Sequence, residues 1–177
     1  MRRLPIPLVL IAVLALSACN NPDRFGGGGG AYGGAGGAGG AGGIGTTGLG
    51  DASDPRSPAY FQQTVGDRVL FPVDQATLTA AARATLTQQG AWLNANADFA
   101  VLIEGHADEQ GTRDYNLALG ARRASAVQDF LISQGVAPSR MRTVSYGKER
   151  PIEVCSEEAC YAQNRRAVTV LSMGAGA

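Results

Sequence analysis

Between residues 67 and 173 the apolar positions fall into blocks of two different periods. "DRVLFPV" (67–73), "FAVLIEG" (99–105), "MRTVSYG" (141–147) and "RAVTVLS" (166–172) are short runs, which predict four strands. The second is continuously apolar and reads as a central strand. "LTAAARATLTQQGAWLNAN" (78–96) instead brings Leu78, Ala82, Leu86 and Leu93 onto one helical face, with Thr77 or Thr79 placed to cap its start. A second helix is predicted over 114–134, where Leu119, Val127 and Phe130 recur along one stripe and Gly135 suits a left-handed stop. The order β-α-β-α-β-β predicts an α/β (α+β) sandwich, with both helices on one face of a mixed four-stranded sheet. Residues 147–163 read as the longest irregular piece. Arg123 breaks the pattern, because it lies inside the apolar stripe of the second helix. A charge on a buried face needs something to pair with.

The N-terminus follows different rules. "MRRLPIPLVLIAVLALSAC" carries two arginines, an apolar run over 6–16 and then small residues, the organisation of a secretory signal peptide over 1–18. The run is too short for a permanent span. Leu16-Ser17-Ala18-Cys19 resembles the lipobox of bacterial lipoproteins, which makes Cys19 the expected lipidation site. Several acyl chains, at about 0.8 kcal/mol per buried CH₂, would anchor it stably. Residues 26–50 are dominated by glycine with alanine and have almost nothing to bury, so 19–56 is read as a lipidated tether. Such a segment averages roughly 35 Å end to end and reaches ~130 Å when stretched. A phosphate-cradling loop would need a strand before it and a helix after it, and neither pattern is present. The folded domain is expected over 57–173, followed by a tail at 174–177.

Charge and cysteine content narrow the partners. The chain has 15 basic and 15 acidic residues, and loss of Arg2 and Arg3 with the signal leaves 13 against 15. That balance gives no broad electrostatic reason to bind nucleic acid. Cys155 and Cys160 in "CSEEAC" read first as a loop disulfide of an exported protein, and only weakly as half of a metal site.

The polar residues collect where the central strand hands over to the second helix. Gly105, His106, Asp108 and Gly111 occupy the turn, and Asn116 and Arg123 stand seven residues, close to two turns, apart on one helix face. Strand ends facing helix starts are recurrent ligand positions. A carboxylate, an amide and a guanidinium converging there would suit a zwitterion, its ammonium at Asp108 and its carboxylate forked by Arg123.

"IEGHADEQGTRDYNLALGARRASAV", followed by "VSYGKERP" and "AQNRRAVTV", resembles the OmpA-like peptidoglycan-binding domain from about Val69 to Leu171. With the lipobox, the chain is similar to the lipid-anchored peptidoglycan-associated members of that family. The resemblance implies a non-catalytic module that grips the diaminopimelate side chain of peptidoglycan stems. Asp108 and Arg123 match the principal ligand residues; Asp74, Asn116, Asn164 and Arg165 match supporting ones, with Phe71, His106 and Leu119 as site wall. It further implies an outer-membrane protein facing the periplasm, with TolB and other Tol proteins as partners in envelope constriction during division, and no cofactor or metal. "FPVD" replaces the family's usual "FDFD", so Pro72 stands for an acidic residue and removes a backbone donor.

Other readings stand beside these. Arg123 could form a structural ion pair with Asp108, Asp114 or Glu109. Asn116 could satisfy backbone groups at the helix start, and Arg165 with Arg166 could be a solvated charge pair. "HADE" invites a peptidoglycan amidase or hydrolase, but one His without a second helical His or a CxxC pair is a poor zinc site, and no nucleophile adjoins a base.

Overall fold

The computed structural model describes residues 50–173, all within the compact unit Gly43–Ala177. The expectations for the signal peptide, for Cys19, for most of the tether and for the tail lie outside the described residues.

Four strands, β1 (Arg68–Leu70), β2 (Phe99–His106), β3 (Met141–Gly147) and β4 (Arg166–Met173), form one sheet in the order β1-β4-β2-β3. β2 is internal, parallel to β3 and antiparallel to β4, and β4 pairs antiparallel with β1. Register decides which side is buried. Val69 lies opposite Ala167, Gly105 opposite Ala167, Ile103 opposite Thr169 and Val101 opposite Leu171, so these residues share one face.

Both long helices, α2 (Ala80–Ala95) and α3 (Arg113–Ser133), cover that face. α2 starts at Thr79, whose hydroxyl accepts from the Ala82 amide at 3.1 Å. Leu86, Leu93 and Ala82 are buried, and Leu78 packs at the core's margin. Gln89 is fully buried, and its side chain bridges Gly66 O at 2.6 Å and the Thr169 hydroxyl at 2.8 Å, tying α2 to β4. α3 lies against β2 so closely that a Cβ on Gly105 would meet Gly120 O at 1.9 Å. Only glycine fits there. Leu119, Val127 and Leu131 enter the core, with Phe130 at its margin, and beyond the end of α3 Gly135, with φ of +92°, turns the chain away.

Packing begins ahead of Ser57. The Trp92 indole donates to Pro55 O at 2.7 Å, and the Ser57 hydroxyl to Asp51 O at 2.6 Å. Ser57 also caps the short helix α1 (Pro58–Tyr60), which runs on as a π-helical turn, Phe61–Gly66. Phe61 sits 4.9 Å from Trp92, ring to ring, and Trp92 lies 5.3 Å from Phe99.

The segment expected to be irregular contains a fourth helix, α4 (Glu158–Asn164). The Cys155–Cys160 disulfide pins its first turn to the preceding loop, with Cα atoms 6.0 Å apart. β1 is shorter than its apolar run: it ends at Leu70, and the chain turns away through Pro72 and Asp74, which has φ of +57°. Among the described residues no helix is long and apolar enough to cross a membrane.

Candidate ligand site

The turn between β2 and α3 is built by its own side chains. Gly111 takes φ of +86°, the Thr112 hydroxyl caps α3 by accepting from the Tyr115 amide at 3.3 Å, and Asn116 donates to Gln110 O at 2.6 Å. Asn116 therefore does the backbone work considered for it. It also lines a cleft of about 260 Å³ with Val73, Asp74, Asp108, Gln110, Gly111, Tyr115 and Leu119. The Tyr115 hydroxyl donates to Asp74, and this bond holds the tyrosine's pKa above its usual value.

Asp108 is 8% exposed. One of its oxygens accepts from the Gln110 amide at 3.3 Å, and the other lies 3.1 Å from Arg165 Nη1. Arg165 is itself buried and donates through Nε to Phe71 O at 3.3 Å. Its guanidinium also meets Glu158 of α4. Burial pushes its pKa down, but the bonds to Glu158 and Asp108 outweigh burial and raise it overall.

Arg123 finds a different set of partners from those the sequence suggests. It is completely buried, and it donates to three backbone carbonyls: Nε to Gln75 at 2.8 Å, Nη1 to His106 at 2.8 Å and Nη2 to Pro72 at 3.2 Å. The guanidinium lies 5.2 Å from the centre of the Phe71 ring. Among the described residues it forms no ion pair; Asp108 pairs with Arg165 instead. Burial lowers its pKa to about 10, opposed chiefly by the charge of Asp108, so it stays protonated at neutral pH. Among the described residues one N–H on each Nη has no partner, since guanidinium has five donors.

Of the residues expected at the site, Asp74, Asp108, Asn116 and Leu119 come together as cleft lining. Arg123, Arg165 and Phe71 form the layer that supports them. Asn164 is fully buried and fully satisfied: its oxygen accepts from Ile152 and Glu153, and its amide donates to Glu109 at 2.6 Å and to Glu153 O at 2.7 Å. His106 is 2% exposed, stacks 5.5 Å from Tyr146, and has its Nε2 3.5 Å from Glu104. Burial, followed by the charges of Arg166 and Arg150, lowers its pKa to about 4, so it is neutral at pH 7. Among the described residues no group of three His, Cys, Asp or Glu side chains could hold a metal ion. Val73, Gln110 and Tyr115 are the lining residues that pattern reading missed, although Tyr115 adjoins Asn116 one turn into α3.

A sequence model of the OmpA family matches residues 70–165. A protein of Mesorhizobium japonicum named peptidoglycan-associated lipoprotein is 46% identical over 180 residues, 98% of this chain and 95% of that one. Its namesake in Agrobacterium fabrum is 55% identical over 130 residues, 72% of this chain and 73% of the relative. The crystal structure of the peptidoglycan-associated lipoprotein from Burkholderia pseudomallei covers 69% of this chain and 100% of its own, with 39% identity and a TM-score of 0.61. The C-terminal domain of Helicobacter pylori MotB covers 62% of this chain and 86% of its own, with 21% identity and a TM-score of 0.57, a likeness of fold. The chain belongs to the OmpA family, and within it to the peptidoglycan-associated lipoproteins. Its fold is the α/β sandwich expected from the strand and helix order.

Proposed function

We propose that the protein ties the outer membrane to the cell wall, with lipid on Cys19 as anchor, residues 19–50 as tether and the cleft as the grip on diaminopimelate stems. The observation that carries this reading is the pair of carboxylates, Asp74 and Asp108, lining one cleft of about 260 Å³ that is backed by a buried guanidinium. An ammonium group fits the carboxylates, and the family resemblance assigns its neighbouring carboxylate to Arg123, whose fully buried guanidinium the ligand would reach once the cleft lining opens. The side chain of diaminopimelate ends in that combination. In this reading the wall peptide makes the second attachment, and the tether sets how far apart membrane and wall can stand. By its family resemblance the protein also exchanges between the wall and TolB within the Tol system during division, facing the periplasm.

Cosedimentation with purified diaminopimelate-type sacculi tests the proposal. The full chain should pellet with the wall, and Asp108→Asn should remain largely in the supernatant. A parent protein that stays in solution would overturn it.

A further inference from the structure

Asp108, the acid that meets the ligand ammonium in the proposed reading, does not stand alone. Its Oδ2 shares Arg165 Nη1 with Glu158 Oε2, at 3.1 and 3.5 Å, while Nη2 goes to Glu158 alone. One buried cation is thus divided between two carboxylates. The Glu158 side chain is 67% exposed and that of Arg165 is 6% exposed, so the acid reaches inward from the surface to hold a buried fork.

The element that carries Glu158 has little to keep it helical by itself. α4 has seven residues, and its N-cap residue, Glu157, makes no side-chain capping bond. Isolated helices of that length are unstable in water. Two features fix it: the Cys155–Cys160 disulfide across its first turn, and Asn164 at its end. Asn164 donates to Glu109, so α4 delivers contacts to both consecutive acids of the β2–α3 turn, Arg165 to Asp108 and Asn164 to Glu109.

Resting on the proposed reading of the cleft, we propose that Glu158, held on its disulfide-pinned turn, is a positioning residue that shares Arg165 and so leaves the Asp108 carboxylate free to attract the ligand ammonium. With Glu158 neutral, the whole charge of Arg165 falls on Asp108. The carboxylate is then partly cancelled, and the guanidinium fork loses one of its two anchors. Loss of the disulfide acts on the same contact by freeing the turn that presents Glu158.

The test compares the full chain with Glu158→Gln and with the Cys155→Ser/Cys160→Ser double variant. The probe is the tripeptide L-Ala-γ-D-Glu-meso-diaminopimelate, followed by calorimetry. The NMR cross-peak of the Arg165 Nε–H group and the exchange rate of the Gln110 amide are recorded without ligand. Both variants should bind the tripeptide three- to tenfold more weakly, move the Arg165 cross-peak and speed exchange at Gln110, with Glu158→Gln leaving the melting temperature within a few degrees. Unchanged affinity with an unmoved cross-peak overturns the proposal. So does weaker binding that merely follows a lower melting temperature. If the parent chain does not bind the tripeptide, the cleft reading fails; the cross-peak and the Gln110 amide then decide the positioning role alone.

Discussion

Arg123 is held by carbonyls from three separate places in the chain, those of Pro72, Gln75 and His106. Its truncation empties the space of a fully buried side chain and takes a donor from the buried His106 carbonyl and from the half-buried carbonyls of Pro72 and Gln75, although Pro72 O keeps the Gln75 amide at 3.3 Å; a buried acceptor left unsatisfied costs about 1–3 kcal/mol. Arg123→Ala is therefore expected to lower stability by roughly 3–5 kcal/mol even without ligand, seen as an earlier urea midpoint. An unchanged midpoint would contradict the peg role. The sequence made this residue conspicuous, since a charge in an apolar stripe demands partners. It could not name them, because backbone acceptors at separations of 48 and 51 residues leave no side-chain signature. His106 provides a second test at this scale. Its folded pKa of about 4 lies below the unfolded value of 6.5, so between those values the unfolded chain binds the proton and the folded chain does not. Stability is then complete above about pH 6.5 and is lost as pH falls toward 4, by up to about 3 kcal/mol. Urea titrations across that range should show the loss, and His106→Gln should flatten it.

The elements that read clearly were those whose burial follows a period. β2 and α3 carry continuous or 3.6-spaced apolar residues, and the cap at Thr79 and the stop at Gly135 stood where local chemistry requires them. α4 did not read, because Asn164 is its one buried residue, so no apolar stripe marks it, and it is fixed by a disulfide and that asparagine. The end of β1 was blurred for another reason: Phe71 still donates to Arg165 O at 2.8 Å after the ladder proper has ended. The contact between β2 and α3 gives a firm prediction. Gly105→Ala would drive a methyl group into Gly120 O, a backbone atom that cannot swing aside. A loss of about 3 kcal/mol or more is expected, with the two elements forced apart and the β2–α3 turn displaced. Thermal unfolding within a few degrees of the parent would show that α3 can shift at little cost.

At the scale of the whole molecule, the proposed anchor and grip lie at opposite ends of a glycine-rich stretch, so each can be removed without the other. Cys19→Ser is expected to release the protein from the membrane fraction while leaving its binding to sacculi intact. Retention in the membrane would point to an anchor other than lipid on Cys19. The central claim is that the cleft reads a zwitterion, and calorimetric titration with the diaminopimelate tripeptide tests it most directly. The controls are a tripeptide carrying lysine in place of diaminopimelate, and the Asp108→Asn protein. Binding by the parent should weaken by about 2–5 kcal/mol in each control, since each removes one partner of a charge pair. Equal heats for the two peptides, or for Asp108→Asn and its parent, would contradict the account.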